Sequence, residues 1–78
     1  MQVWVVHQDC TDEIHLFSTA KKAYNGLLEL IKNGIYIEED KEFFREELYK
    51  DYERNKNSAS FGVYNYGYAE LVEIDENV

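Results

Sequence analysis

Seventy-eight residues carrying 16 acids against 8 bases, a net charge of −8, make one small domain over 1–78 whose field repels phosphate backbones and anionic membrane surfaces alike. The bases do not offset this by clustering: Lys21 and Lys22 adjoin, while Lys32, Lys41, Arg45, Lys50, Arg54 and Lys56 are interspersed with acids. Direct binding to nucleic acid and association with membrane are therefore not expected, and a charged partner should be basic.

Cys10 is the only cysteine, which argues for a reducing compartment over a disulfide-stapled scaffold. No apolar run approaches the ~20 residues of a membrane span. The opening Met-Gln-Val-Trp-Val-Val lacks a basic segment and reads as a first strand, not a signal peptide. A cytoplasmic location is expected. An apolar fraction of 45% favours an ordered fold despite the charge. Seven tyrosines and four phenylalanines give a small core more buried area per residue, and exposed tyrosine is a favoured interface residue.

Residues 2–8 are β-branched and aromatic, which predicts a strand buried on at least one face. Asp9-Cys10-Thr11-Asp12 is turn chemistry, and the alternation Glu13-Ile14-His15-Leu16-Phe17 predicts a second strand closing a hairpin. Ser18 is placed as the cap of a helix over 19–33, where Ala20, Ala23, Tyr24, Leu27, Leu28 and Ile31 recur at helical spacing. Gly34 ends it, and Gly26 inside it marks a close approach to the sheet. Ile35-Tyr36-Ile37 is a link that admits one short extra strand.

Acids at 38–40 favour a following helix start. A second helix is expected over 41–55, with Phe44, Leu48 and Tyr52 inward, Phe43 and Tyr49 flanking, and Glu46 pairing with Lys50. Two more strands, 60–64 and 68–75, are joined by Asn65-Tyr66-Gly67, with Gly67 at a positive-φ turn position. The order is ββ-α-α-ββ: an α+β fold with a mainly antiparallel sheet and both helices packed on one face.

His7, Cys10 and His15 form the one cluster resembling a metal or nucleophile site. Their spacing matches no closed four-ligand pattern, and one tight turn is too little to build a water-excluding pocket. No phosphate-binding glycine loop occurs. The expectation is no cofactor, no metal and no catalysis, with two strand histidines and a turn thiol.

The acids are the more informative feature. Residues 38–54 hold Glu38, Glu39, Asp40, Glu42, Glu46, Glu47, Asp51 and Glu53 against four bases, and the tail adds Glu70, Glu73, Asp75 and Glu76 with none. A solvated helix face is the plainer reading. The functional one is a row of carboxylates that imitates a phosphate backbone and occupies a basic groove. Tyr64, Tyr66 and Tyr68, by strand alternation, point to one face. They serve either cross-strand packing or a protein contact.

Two parts of the chain carry a resemblance. A strand from the initiator Met, a hairpin and the helix entry Phe17-Ser18-Thr19-Ala20-Lys21-Lys22-Ala23, together with the acidic terminal strand Tyr68-Ala69-Glu70-Leu71-Val72-Glu73-Ile74-Asp75, resemble in layout a loose group of small proteins of phages and Gram-positive mobile elements. The resemblance covers the two ends of the chain, not its second helix. It implies a setting in which small proteins bind and inhibit host proteins, including defence nucleases.

The resulting expectation is a non-enzymatic interaction module that binds a larger protein with a basic surface. The contact residues would be Glu38, Glu39, Asp40, Glu42, Glu46, Glu47, Asp51, Glu53, Tyr64, Tyr66, Tyr68, Glu70 and Glu73. The alternatives are a self-associating domain, forming a homodimer through the sheet, and a small-ligand or metal binder at the first hairpin.

Overall fold

The computed structural model describes residues 1–8, 13–34, 38–63 and 66–74. Four strands, β1 (Gln2–Gln8), β2 (Ile14–Phe17), β3 (Ser60–Val63) and β4 (Gly67–Glu73), form one sheet in the order β2-β1-β4-β3, antiparallel throughout. Two helices, α1 (Ala20–Gly34) and α2 (Glu38–Asn55), lie between the two hairpins in chain order. The fold is α+β, ββ-α-α-ββ. The expected rung at 35–37 lies outside the described residues.

The pairing register sorts every strand residue to a face. Val6 opposes His15 and Ala69, and Trp4 opposes Phe17 and Leu71. This set, continued by Phe61 opposite Ala69, meets the helices. Its buried members close a core with Ala23, Leu27 and Ile31 of α1 and Phe44 and Leu48 of α2. Both helices therefore cover the same face. Trp4 is a core residue, and its ring begins a run of aromatic contacts through the layers. It packs on Phe61 at 5.3 Å, Phe61 meets Tyr52 edge-on at 5.2 Å, and Tyr52 stacks on Tyr24 at 4.4 Å.

Several local expectations are corrected. The cap of α1 is Thr19, not Ser18: Thr19 Oγ1 accepts from the Lys22 amide at 3.1 Å and its carbonyl accepts from Ala23, the geometry of a residue three before the bonded amide. Lys50 sits 3.8 Å from Glu47 in place of the expected Glu46 pair. α2 begins at Glu38, because the acids at 38–40 form its first turn, where the helix dipole favours them, and do not precede it. Gly67 is the first residue of β4, with no positive φ. Space is what it provides: a β-carbon there would lie 2.7 Å from the His7 carbonyl and 2.9 Å from Ile31 Cδ1. Gly26 does mark a close approach, since a β-carbon there would enter the ring of Phe17.

Candidate interaction site

At about 100° per residue, the acids of α2 divide into two rows. Glu39, Glu42, Glu46 and Glu53 fall within an arc of about 60° directly opposite Phe44, and all four are exposed. Tyr49 completes that stripe, 55% exposed. Asp40, Glu47 and Asp51 lie on the flank turned toward β3 and are half-buried. Of Glu38 the backbone alone is described.

The flanking row is in part structural. Asp51 Oδ2 accepts the Gly62 amide at 2.8 Å, and Oδ1 accepts Asn55 Nδ2 at 3.0 Å. The leading edge of β3 is thereby tied to α2, so one unpaired edge amide is satisfied by a carboxylate. Lys50 and Arg54 stand beside Glu47 and Asp51 along a groove of about 620 Å³ between α2 and the β3–β4 turn, roofed by Phe43 and Tyr66. Two bases facing two acids leave it without a dominant sign.

The remaining acids are elsewhere. Glu70 lies mid-strand on the sheet face away from the helices, its carboxylate 3.2 Å from His7 Nε2. Glu73, at the strand end, is 3.0 Å from the chain's amino terminus. They do not extend the α2 stripe.

The tyrosines do not share a face. The Tyr66 amide bonds to the Val63 carbonyl at 3.1 Å, so Tyr66 belongs to a turn in which strand alternation does not operate, and its ring rests on Phe44. Tyr68 is on the opposite, open face, stacked on His7 at 4.6 Å. Tyr64 lies outside the described residues. His7 and His15 likewise point to opposite faces: His7 opposes Tyr68, whereas His15 opposes core Val6 and lies 3.5 Å from Glu13. Cys10 is outside the described residues, among which no three His, Cys, Asp or Glu groups converge on one point. No helix among them is long and apolar enough to cross a membrane.

Among the described residues, two titrating groups are displaced. Burial, reinforced by Tyr49, Tyr52 and Glu53, raises Tyr24 above the ordinary 10.0, and the hydrogen bond to Glu53 raises Lys56 above 10.5.

Sequence reasoning overlooked the open face of the sheet as an aliphatic surface. Ile14 and Leu16 stand on it 57% and 61% exposed, beside half-buried Val3, Val5 and Val72. The signal was in the first strand: Val3-Trp4-Val5-Val6 is apolar on both faces, the pattern of a strand covered twice.

Comparison of the chain with protein-family profiles, curated proteins and solved structures finds no match.

Proposed function

We propose that this chain is a non-enzymatic interaction module that binds a basic surface of a larger protein through the outward stripe of α2. The observation that carries the reading is the alignment of Glu39, Glu42, Glu46 and Glu53 on one exposed arc around Tyr49. At ~1.5 Å per residue the stripe runs about 21 Å, long enough to lie along a groove, and Tyr49 supplies an amphipathic anchor near its middle.

Charge density refines the class of partner. Of the four carboxylates in about 21 Å, Glu53 is paired with Lys56 at 3.1 Å, so three unmatched charges remain, one per ~7 Å, against one per ~3.4 Å for each strand of a duplex. The stripe thus carries the sign and the linear form of a nucleic-acid strand at about half its density. A basic groove of the kind that nucleic-acid-binding or defence proteins present is the fitting partner, reached by electrostatic steering. Glu70, Glu73, Tyr66 and Tyr68 stand apart from this contact.

The test is capture of a basic protein from host lysate at low salt, repeated at about 0.5 M salt, where the Debye length falls to about 4 Å. The wild-type chain should retain the partner at low salt and release it at high salt, and the triple replacement E39Q/E42Q/E46Q should not capture it. Capture by the triple variant equal to wild type sinks the reading.

A further inference from the structure

The open face of the sheet poses a separate question. Three of the seven large hydrophobic side chains exposed among the described residues, Ile14, Leu16 and Tyr68, belong to it by register, and exposed Met1 and Ile74 lie just beyond its strand ends, where the Ile74 amide donates to the Met1 carbonyl at 2.7 Å. One acid, Glu70, is on that face among the described residues, and its carboxylate lies within hydrogen-bond distance of His7 Nε2, at 3.2 Å. A chain with 16 acids has thus left one broad surface with a single carboxylate among its described residues.

We propose that a second copy of this chain covers this face, the two sheets packing face to face about a two-fold axis. Three observations select that occupant. The first is charge. Two molecules of −8 repel wherever their acids meet, and the open face, with one carboxylate each, is where they approach with the fewest acids apposed. A basic partner would call for acids on this surface, and an anionic lipid surface for bases; it presents neither in excess.

The second is the strand sequence. Apolar residues on both faces of β1, with Val3 and Val5 outward and Trp4 and Val6 inward, are the composition of a strand between two layers. One layer is the helices, and the second copy supplies the other, at the ~10 Å spacing of packed sheets.

The third is area. Strands of seven, seven, four and four residues at ~3.4 Å per residue and about 4.8 Å apart give a footprint of about 360 Å². Side-chain relief raises the accessible area above the footprint, so two faces together remove about 800–1,000 Å², at or just under the lower bound for a specific interface. Glu70, mid-strand, has to be desolvated on association, which lowers the affinity further. The expected dimer is concentration-dependent, with Kd in the micromolar range or above.

Sedimentation equilibrium of the purified chain from about 1 μM to about 1 mM tests this. The mass should rise toward twice that of the chain. Leu16→Glu, at an exposed edge position, should raise Kd about tenfold or more while leaving the circular dichroism and the unfolding midpoint of dilute protein unchanged. Glu70→Gln, which removes the charge to be desolvated, should lower Kd. A monomeric mass throughout overturns the proposal and leaves the face to a different protein. A dimer indifferent to Leu16→Glu and weakened by E39Q/E42Q/E46Q overturns it as well, since the contact would then be α2.

Discussion

Replacing Asp51 by Ala separates an acid that builds the fold from acids that face water. The substitution removes the acceptor of the Gly62 amide and of Asn55 Nδ2. A hydrogen bond to a charged group contributes about 1.5–3 kcal/mol. Asp51 and Gly62 are half-buried, so water replaces part of this, and about 1–2 kcal/mol remains for the Gly62 contact. The Asn55 contact is an i,i+4 pair of about 0.5 kcal/mol. The expected loss is about 1.5–2.5 kcal/mol from a total of about 4–12 for a chain of this length. Asp51→Asn keeps one acceptor oxygen without its charge and should fall between Ala and wild type. Urea unfolding followed by the fluorescence of buried Trp4 reads both; at m near ~1 kcal/mol/M the Ala midpoint drops by about 2 M with m unchanged. An Ala variant within about 0.5 kcal/mol of wild type would falsify the view that α2 is fastened to the β3 edge by this carboxylate.

Three further outcomes are expected. Gly67→Ala should cost about 2–3 kcal/mol, because its methyl meets a backbone carbonyl and two core side chains that have no room to yield. Gly26→Ala should be near neutral, since ~1 kcal/mol of helix propensity offsets the displaced ring of half-buried Phe17; equal losses in denaturant titrations of the two would contradict this contrast. Glu39→Gln, Glu42→Gln and Glu46→Gln should each leave stability within about 0.5 kcal/mol, checked by the same unfolding curves, and a loss above 1.5 kcal/mol in any of them shows that its carboxylate supports the fold. Tyr24 and Lys56 both have raised values in the folded chain. Their contribution is complete below their unfolded values and is lost as pH rises through the folded ones, so stability should decline above about pH 10. Tyr24→Phe should flatten the decline, read from unfolding midpoints between about pH 9 and 11 with tyrosinate absorbance alongside; a decline of unchanged steepness in that variant counts against Tyr24.

What the sequence disclosed was local. β1 covers the residues its β-branched run marks, and the α1 stripe of Ala23, Leu27 and Ile31 is the buried one. Period-2 and period-3.6 patterns carry such information because each element needs one face in the core. What it hid was non-local or crowded. The tie between Asp51 and Gly62 joins residues eleven apart on different elements, and no spacing rule brings them together. Gly67 looked like a turn glycine because Asn-Tyr-Gly is turn chemistry, yet its constraint is the approach of His7, Leu27 and Ile31. Splitting Tyr66 from Tyr68 depended on where the turn ended. The acids of α2 were visible as a number; their division into an outward stripe and a half-buried flank required the direction in which Phe44 and Leu48 are buried.

The two proposed contacts lie on opposite sides of the molecule, and that geometry constrains how they combine. The helices cover one face of the sheet and the second copy the other, so a dimer places its two α2 stripes on its outer surfaces. Sheets ~10 Å apart, each backed by a helix layer ~10 Å away, put the stripes about 40 Å from one another once the helix radii are added. No single narrow groove reaches both. Dimerisation therefore adds avidity only toward a partner that presents two basic sites, and leaves the intrinsic affinity of one stripe unchanged. The surfaces should accordingly be separable by substitution: E39Q/E42Q/E46Q should abolish capture of the basic partner yet still dimerise, and Leu16→Glu should dimerise about tenfold or more weakly yet bind a single-site partner with wild-type affinity. If Leu16→Glu weakens a single-site contact tenfold, the stripe and the sheet face are one interface and the partner spans the edge of the domain.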